Sequence, residues 1–132
     1  MYSPPRPAIF LSLADAERLR RLELDVRAGT GAALLREELA RAHVCAPADM
    51  PARVVRIGSR VHYRDLTSGH AAEVRVVMPS DAAPDRGAIS VAGLPGAALI
   101  GVPQDQCFRW RNPDGPLRGI FVSEVLDDFL WC

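Results

Sequence analysis

Lysine is absent from this chain of 132 residues: all 16 basic residues are arginine, and 16 acidic residues balance them. Without lysine the chain has neither a lysine Schiff base nor the Gly-Lys-Ser/Thr loop that binds nucleotide phosphates. A formal net charge of zero does not favour long-range attraction to nucleic acid or anionic lipid. The exclusive use of arginine indicates the composition bias of a bacterial genome and carries no mechanism.

Cysteine and long apolar segments are also scarce. The three cysteines, Cys45, Cys107 and Cys132, form no Cys-x-x-Cys pair, which favours a reduced compartment over a disulfide framework. The N-terminal residues do not follow the pattern of a secretory signal. The longest uncharged run, residues 87–104, contains two prolines and several glycines, which would break a membrane-spanning helix. We therefore expect a cytoplasmic protein with no membrane partner.

The first part of the chain has helical periodicity. Ser12 lies three residues before Asp15 and is a candidate N-cap. Apolar residues recur every three or four positions over residues 15–28 and again over residues 32–44. The Gly-Thr-Gly sequence at 29–31 is expected to end the first helix. The pattern predicts a short antiparallel hairpin of two helices, each about 13 residues and about 20 Å long.

Prolines near residue 52 end the helical pattern, and an alternating pattern follows. Strands are predicted at residues 60–64, 73–78, 88–91, 107–111 and 117–126. Residues 94–101 predict one or two helical turns, opened by a proline and closed by a glycine. The predicted fold class is α+β: a helical hairpin over residues 1–52 and an antiparallel sheet domain with one short helix over residues 53–132.

Few residues suggest catalytic chemistry. His43 and Cys45 are close in sequence, but a metal site needs three or four ligands, so we expect no metal and no other cofactor. Neighbouring residues on a helix point about 100° apart, so we interpret adjacent acidic residues as solvated charges. These adjacent pairs are Glu37 with Glu38 and Asp127 with Asp128.

Arginines and aromatic residues alternate along residues 107–111. A single-stranded nucleic-acid platform needs basic and aromatic side chains on one face. Alternation instead places Arg109 and Arg111 on one face of the strand and Phe108 and Trp110 on the other. We therefore expect the aromatic residues in the core and the arginines in solvent. Association with DNA is left open only as a weak or indirect one.

Three stretches of the chain have a recognisable order and spacing: residues 35–42 with Met50, Pro51, Val54 and Val55; residues 59–61, 65–66 and 69 to Val77 and Pro79; and residues 89–91 and 95–101 with Trp110 and Pro113. Together they resemble the family of Rnk, the regulator of nucleoside diphosphate kinase, and the Gre transcription elongation factors. The resemblance implies an FKBP-like sheet domain that docks on the rim of the RNA polymerase secondary channel, with the hairpin pointing into the channel. Leu94 stands where related sequences have a polar residue in a polymerase-contacting loop.

The hairpin tip distinguishes the two kinds of relative. Gre factors stimulate transcript cleavage with acidic tip residues that help hold a second Mg²⁺ ion. The predicted tip here, residues 27–31, has no acidic residue, and Arg27 would repel a cation. The resemblance therefore implies a non-catalytic, Rnk-like regulator that binds core RNA polymerase and acts on no small-molecule substrate. Its polymerase-binding residues would be Leu94, Pro95 and Gly96, and its tip contacts Arg27, Gly29 and Thr30.

Other functions stay open at this point. One alternative is a Gre-type factor that stimulates cleavage, and another is peptidyl-prolyl isomerisation by the FKBP-like domain. Isomerisation needs an aromatic-lined apolar pocket, whereas the aromatic residues here show no cluster in sequence, and fold alone does not establish function. A third alternative is binding to an unrelated partner. We interpret any effect on nucleoside diphosphate kinase as indirect.

Overall fold

The computed structural model describes residues 6–25, 29–111 and 116–126. The architecture is α+β, as predicted. Arg27, the turn at 112–115, the acidic pair at 127–128 and Cys132 lie outside the described residues. The elements in chain order are β1 (Phe10–Ser12), α1 (Leu13–Arg20), α2 (Thr30–Arg41), β2 (His43–Cys45), β3 (Arg60–Asp65), β4 (Ala71–Val77), β5 (Ala88–Ser90), α3 (Gly96–Leu99), β6 (Cys107–Arg111) and β7 (Leu117–Leu126), with one-turn 3₁₀ helices at Pro47–Asp49, Pro79–Asp81 and Pro84–Arg86.

The main sheet has five strands in the order β5-β4-β3-β7-β6. Strand β3 is antiparallel to β4 and β7, and β6 is antiparallel to β7, as the alternating pattern predicted. Strand β5 is parallel to β4, so the sheet is mixed and the prediction of an antiparallel sheet is wrong at this edge. The segment between the two strands, with its two 3₁₀ turns, returns the chain to Arg75, so that β5 runs beside the last three residues of β4. The sequence of a strand of only three residues does not indicate whether it pairs with its neighbour in parallel or antiparallel orientation.

A second, two-stranded sheet joins the N-terminal segment to the end of α2. Strands β1 and β2 are parallel, and Phe10 pairs with His43 in their register. The backbone N–H of His43 donates to the carbonyl of Ile9 at 2.9 Å. Residues 43 and 44 were assigned from sequence to the second helix, and this assignment is wrong. The reason is a partner strand more than 30 residues away, which local periodicity does not reveal.

The two N-terminal helices differ from the predicted hairpin arms. Ser12 caps α1 as predicted, its Oγ accepting from the Asp15 N–H at 3.1 Å. Helix α1 ends at Arg20, and the burial of the next residues alternates: Leu22 and Leu24 are half-buried, and Arg21, Glu23 and Asp25 are exposed. The structure does not confirm a hairpin of two 13-residue arms. None of the helices in the described residues has the length and apolarity to cross a bilayer.

The start of α2 also corrects the sequence interpretation. Thr30 and Gly31 form its first turn and do not terminate α1.

The helices cover one face of the main sheet. Helix α3 contacts β4, β5, β6 and β7, and α2 packs on α3. A single apolar core includes Leu19 and Leu35 from the helical part and Val91, Phe108 and Ile120 from the sheet part. Residues on both sides of position 52 therefore share one core, and a domain boundary there stays a prediction.

Candidate functional site

The residues predicted for the hairpin tip and for polymerase binding lie side by side. Gly29, Thr30 and Leu94 line one surface groove of about 400 Å³. Its remaining walls are residues 31–32 of α2 and residues 92–93 of the loop before α3. The first turn of α2 is therefore next to the α3 loop, on the body of the protein.

Gly31 allows this close approach. A Cβ atom at residue 31 would lie 2.7 Å from the carbonyl oxygen of Ala92 and 2.7 Å from the backbone of Gly93. Real Cβ atoms are essentially never that close to other backbone atoms, so only glycine fits at this crossing. The glycine that we assigned to a helix stop instead lets α2 pack on the α3 loop.

The three predicted polymerase-binding residues differ in exposure. Leu94 is 39% exposed, which makes it one of the few large hydrophobic side chains at the surface, and Pro95 is half-buried. Gly96 is buried, and a Cβ there would lie 2.8 Å from the carbonyl carbon of Ser90. Gly96 therefore lets α3 pack against the end of β5. Only Leu94 and Pro95 present side-chain atoms to a partner.

The Leu94-Pro95 peptide bond is cis. The carbonyl of Pro95 accepts from the N–H groups of Ala98 and Leu99 at 2.9 and 3.0 Å, and the carbonyl of Gly93 accepts from the N–H of Ala97 at 2.8 Å. These bonds begin α3 and fix the backbone on which Leu94 is presented.

Glu38 is buried, which corrects its interpretation as a solvated charge. Its side chain is 1% exposed, and its carboxylate accepts from Arg6 Nη1 at 2.8 Å and lies 2.6 Å from Arg41 Nη2. Arg41 also donates to the carbonyl of Pro7 at 2.8 Å. The Arg6 guanidinium lies 5.3 Å from the centroid of the Phe108 ring, within cation–π range. This cluster joins the N-terminal segment, α2 and β6.

The acidic residues near the helix connection do not form a cation site in the described residues. Residues 26–31 contain no acidic side chain. Glu37 is exposed and lies 3.3 Å from Arg6 Nη1, while the Glu38 carboxylate is already neutralised by two guanidinium groups. Helical rise places Glu37 about 10 Å from the start of α2. Neither glutamate is available to hold a divalent ion at the groove.

Asp15 is a buried carboxyl group that the sequence analysis used only as a helix-start signal. Its Oδ2 accepts from the Ile57 N–H at 3.1 Å. Burial raises the pKa of Asp15, and the hydrogen bond and the charge of Arg56 oppose that rise. The contact attaches α1 to the segment before β3, so its role is structural.

His43 and Cys45, the two candidate metal ligands that are close in sequence, have other contacts. The His43 ring stacks on Phe10 with centroids 5.4 Å apart, and Cys45 Sγ lies 3.8 Å from the His43 carbonyl oxygen. Across residues 6–25, 29–111 and 116–126, no three His, Cys, Asp or Glu side chains are close enough together to hold a metal ion.

The predicted orientation of β6 is confirmed. Phe108 and Trp110 are 0% and 4% exposed, and Arg109 and Arg111 are exposed. The aromatic residues therefore fill the core and do not line a cavity. Two further surface cavities in the described residues, one beside Met50 and one between the helices beside Leu39, have no aromatic lining either.

Comparison with known proteins assigns the family. Residues 50–127 match the model of the family described as transcription elongation factor, GreA/GreB, C-terminal part. The chain belongs to the GreA/GreB family. This confirms the resemblance seen in the sequence.

Individual GreA/GreB and Rnk proteins extend the likeness to nearly the full chain. The chain is 35% identical over 122 residues to the regulator of nucleoside diphosphate kinase from Escherichia coli K12, covering 91% of this chain and 90% of the relative. The Shigella flexneri protein of the same name gives the same values. The GreA/GreB elongation factor structure from Nitrosomonas europaea has a TM-score of 0.64 at 32% identity, covering 92% of this chain and 99% of that one. These names describe regulators and elongation factors, and none describes a catalyst.

Proposed function

We propose that this protein is a non-catalytic regulator of transcription elongation that binds RNA polymerase at the rim of the secondary channel. In this proposal it occupies the channel entrance and does not stimulate transcript cleavage. The family match and the relatives named as elongation factors support the polymerase as partner. An FKBP-like topology for the sheet domain and a cytoplasmic location belong to the same proposal.

The arrangement of the acidic residues carries the non-cleaving part of the proposal. Stimulating cleavage requires carboxylates that can hold a Mg²⁺ ion at the polymerase active site. Glu38 is buried between Arg6 and Arg41, and Glu37 also lies beside Arg6. The stretch from residue 26 to the first turn of α2 contains no acid. A protein built in this way can obstruct the channel, and the stretch between Asp25 and α2 supplies no carboxylate to hold the ion.

The groove between α2 and the α3 loop is the proposed contact surface. Leu94, Gly29 and Thr30 line it, and the Leu94 side chain is exposed. An exposed leucine beside a groove can fill a pocket on a partner, and such anchors dominate many interfaces. Gly96 contributes by holding α3 in place. A contact from Arg27 remains part of the proposal.

Binding to core polymerase tests the contact surface. We expect Leu94→Asp to weaken binding about tenfold or more, because it places a charge where an apolar anchor would be desolvated. Leu13→Asp is the matched control: Leu13 is also an exposed leucine, 54% exposed, at the start of α1. Fluorescence anisotropy measures the affinity of the unchanged protein and of each variant for core polymerase. Equal losses for the two variants, or no binding by the unchanged protein, would contradict the proposal.

Backtracked elongation complexes test the absence of cleavage stimulation. The protein should leave the cleavage rate at the level of polymerase alone, and it should slow cleavage when added in excess to a cleavage-stimulating Gre factor, because both would occupy the same entrance. Gel analysis of the shortened transcripts gives both rates. Stimulated cleavage by the pure protein would support the Gre-type alternative instead.

A further inference from the structure

The face of the main sheet that turns away from the helices carries a cluster of arginines. Arg109 and Arg111 share this face because they alternate with the buried aromatic residues of β6. In the register, Phe121 of β7 is opposite Cys107 of β6 on one side and Arg64 of β3 on the other. Arg64 therefore lies on the same face, two strands from β6.

The charges of this face are separated. Arg64 on β3 and Arg109 and Arg111 on β6 are exposed. Glu73 and Glu124 are opposite His62, two residues before Arg64 in β3, and Glu124 is five residues along β7 from Gly119, the partner of Arg109. Within the described residues, no ion pair joins Arg109 or Arg111 to a carboxylate. A local positive patch is present although the whole chain is neutral.

Apolar side chains lie among these arginines. Leu66 and Leu117 are 37% and 40% exposed, and they are two of the four exposed large hydrophobic residues in the described parts of the chain. Gly119 separates them: a Cβ there would lie 3.1 Å from Leu66 Cδ1 and 3.1 Å from Arg109 Cγ. Leu117 is opposite Arg111 in the register. Each arginine of β6 is thus next to an exposed leucine.

We propose that this arginine-leucine face binds an acidic amphipathic helix of a partner protein. Arg109 and Arg111 are about 7 Å apart along the strand, close to the rise of about 6 Å between carboxylates at i and i+4 of a helix. Leucines of such a helix would cover Leu66 and Leu117, and arginine is a residue enriched at protein interfaces.

The same face fits single-stranded nucleic acid less well. Base stacking needs exposed aromatic rings, whereas the aromatic residue of β7 on this face, Phe121, is partly buried, and the large apolar residues exposed beside the arginines are Leu66 and Leu117. The proposal uses a surface different from the groove at Leu94, and it does not depend on the proposed function.

The test uses a capped helical peptide with glutamates at i and i+4 and leucines along one adjacent stripe. Its matched form has every leucine replaced by serine, and an oligouridine strand is the nucleic-acid probe. The full-length protein is compared with Arg109→Glu/Arg111→Glu, with the milder Arg109→Gln/Arg111→Gln, and with Arg18→Glu/Arg86→Glu. The last pair makes the same charge change at exposed arginines outside this face. Anisotropy gives affinity, and NMR shifts locate the site.

The expected result is binding of the leucine peptide with shifts confined to β6, β7 and Leu66. Affinity should fall about tenfold or more in both Arg109/Arg111 variants and stay unchanged in the control pair. If the glutamate variant does not fold, the affinity of the glutamine variant alone is compared with that of the unchanged protein. Equal affinity for the serine peptide, equal losses in the control pair, absence of binding, or tighter binding of oligouridine at this face would each overturn the proposal.

Discussion

The most deeply buried side chains of the sheet are apolar, whereas the inward face of α2 includes a fully buried carboxylate. Phe108, Ile120 and Val122 are 0–2% exposed, and in β6 the buried aromatic residues alternate with exposed arginines. Glu38 is equally buried, but it is surrounded by arginines. The sheet is thus stabilised chiefly by apolar burial, and the helical layer is attached partly by a buried ionic cluster. Apolar alternation is visible in local sequence, and the ionic cluster depends on residues far apart in the chain.

The largest expected effect on stability is at Gly96, where α3 packs against the end of β5. Gly96→Ala should lower the free energy of unfolding by about 3 kcal/mol, because the new methyl group meets backbone of Ser90 that no rotamer change can relieve. Gly93→Ala is the control: a Cβ there has only Ser90 O nearby, at 3.9 Å, and the cost should stay below about 0.5 kcal/mol. Chemical denaturation measures both, and equal costs would contradict the packing argument.

A smaller effect tests the ionic attachment of α2. Glu38→Gln keeps the side-chain shape but removes the charge that Arg6 and Arg41 share, so we expect a loss of about 2 kcal/mol. Breaking a fully buried pair costs more, but both arginines here still reach water, being 24% and 32% exposed.

The matched variant for that cluster is Glu37→Gln. Its carboxylate is 61% exposed, so its loss should cost less than about 0.5 kcal/mol. Thermal and denaturant unfolding of the two variants, compared at the same pH and salt, separates buried from exposed charge. A Glu38→Gln variant as stable as Glu37→Gln would mean that the cluster does not attach the helix.

The smallest expected effect is the pH dependence of stability that two carboxyl groups contribute, and its sign is opposite for Asp15 in α1 and Asp65 in β3. Burial raises the pKa of Asp15 in α1 above its ordinary value of 3.8. The folded state therefore holds more protons than the unfolded state just above that pH, and the contribution of Asp15 to stability falls as pH rises there. Hydrogen bonds from the Thr67 and Ser68 N–H groups lower the pKa of Asp65 at the end of β3. Its contribution is present above pH 3.8 and is lost as pH falls below it.

Asp15→Asn and Asp65→Asn separate these contributions. The stability difference between the unchanged protein and each variant, followed by denaturation across this acidic range, should slope in opposite directions for the two sites. Slopes of the same sign would contradict the assigned environments.

The sheet was largely predictable from sequence, and the site was predictable only in part. Strands β6 and β7 have their predicted bounds, because alternation of apolar and polar residues is a local property. The parallel partner of β4 and the small β1–β2 sheet were missed, because short strands at distant positions leave no periodic signal. Leu94 was recognised through the family resemblance. Its position beside Thr30 was not expected, since it requires the backbone crossing at Gly31.

The sequence alone determined the fold class, the family and the absence of an acidic residue between residue 26 and the start of α2, because composition, periodicity and motif order are all carried by the chain itself. Tertiary structure alone decided which charges are usable and which residues are neighbours. Glu37 and Glu38 are adjacent in sequence, yet one is exposed and the other is enclosed by Arg6 and Arg41. That difference arises from packing between segments more than 30 residues apart, where the low polarity of the interior allows a carboxylate only with its partners.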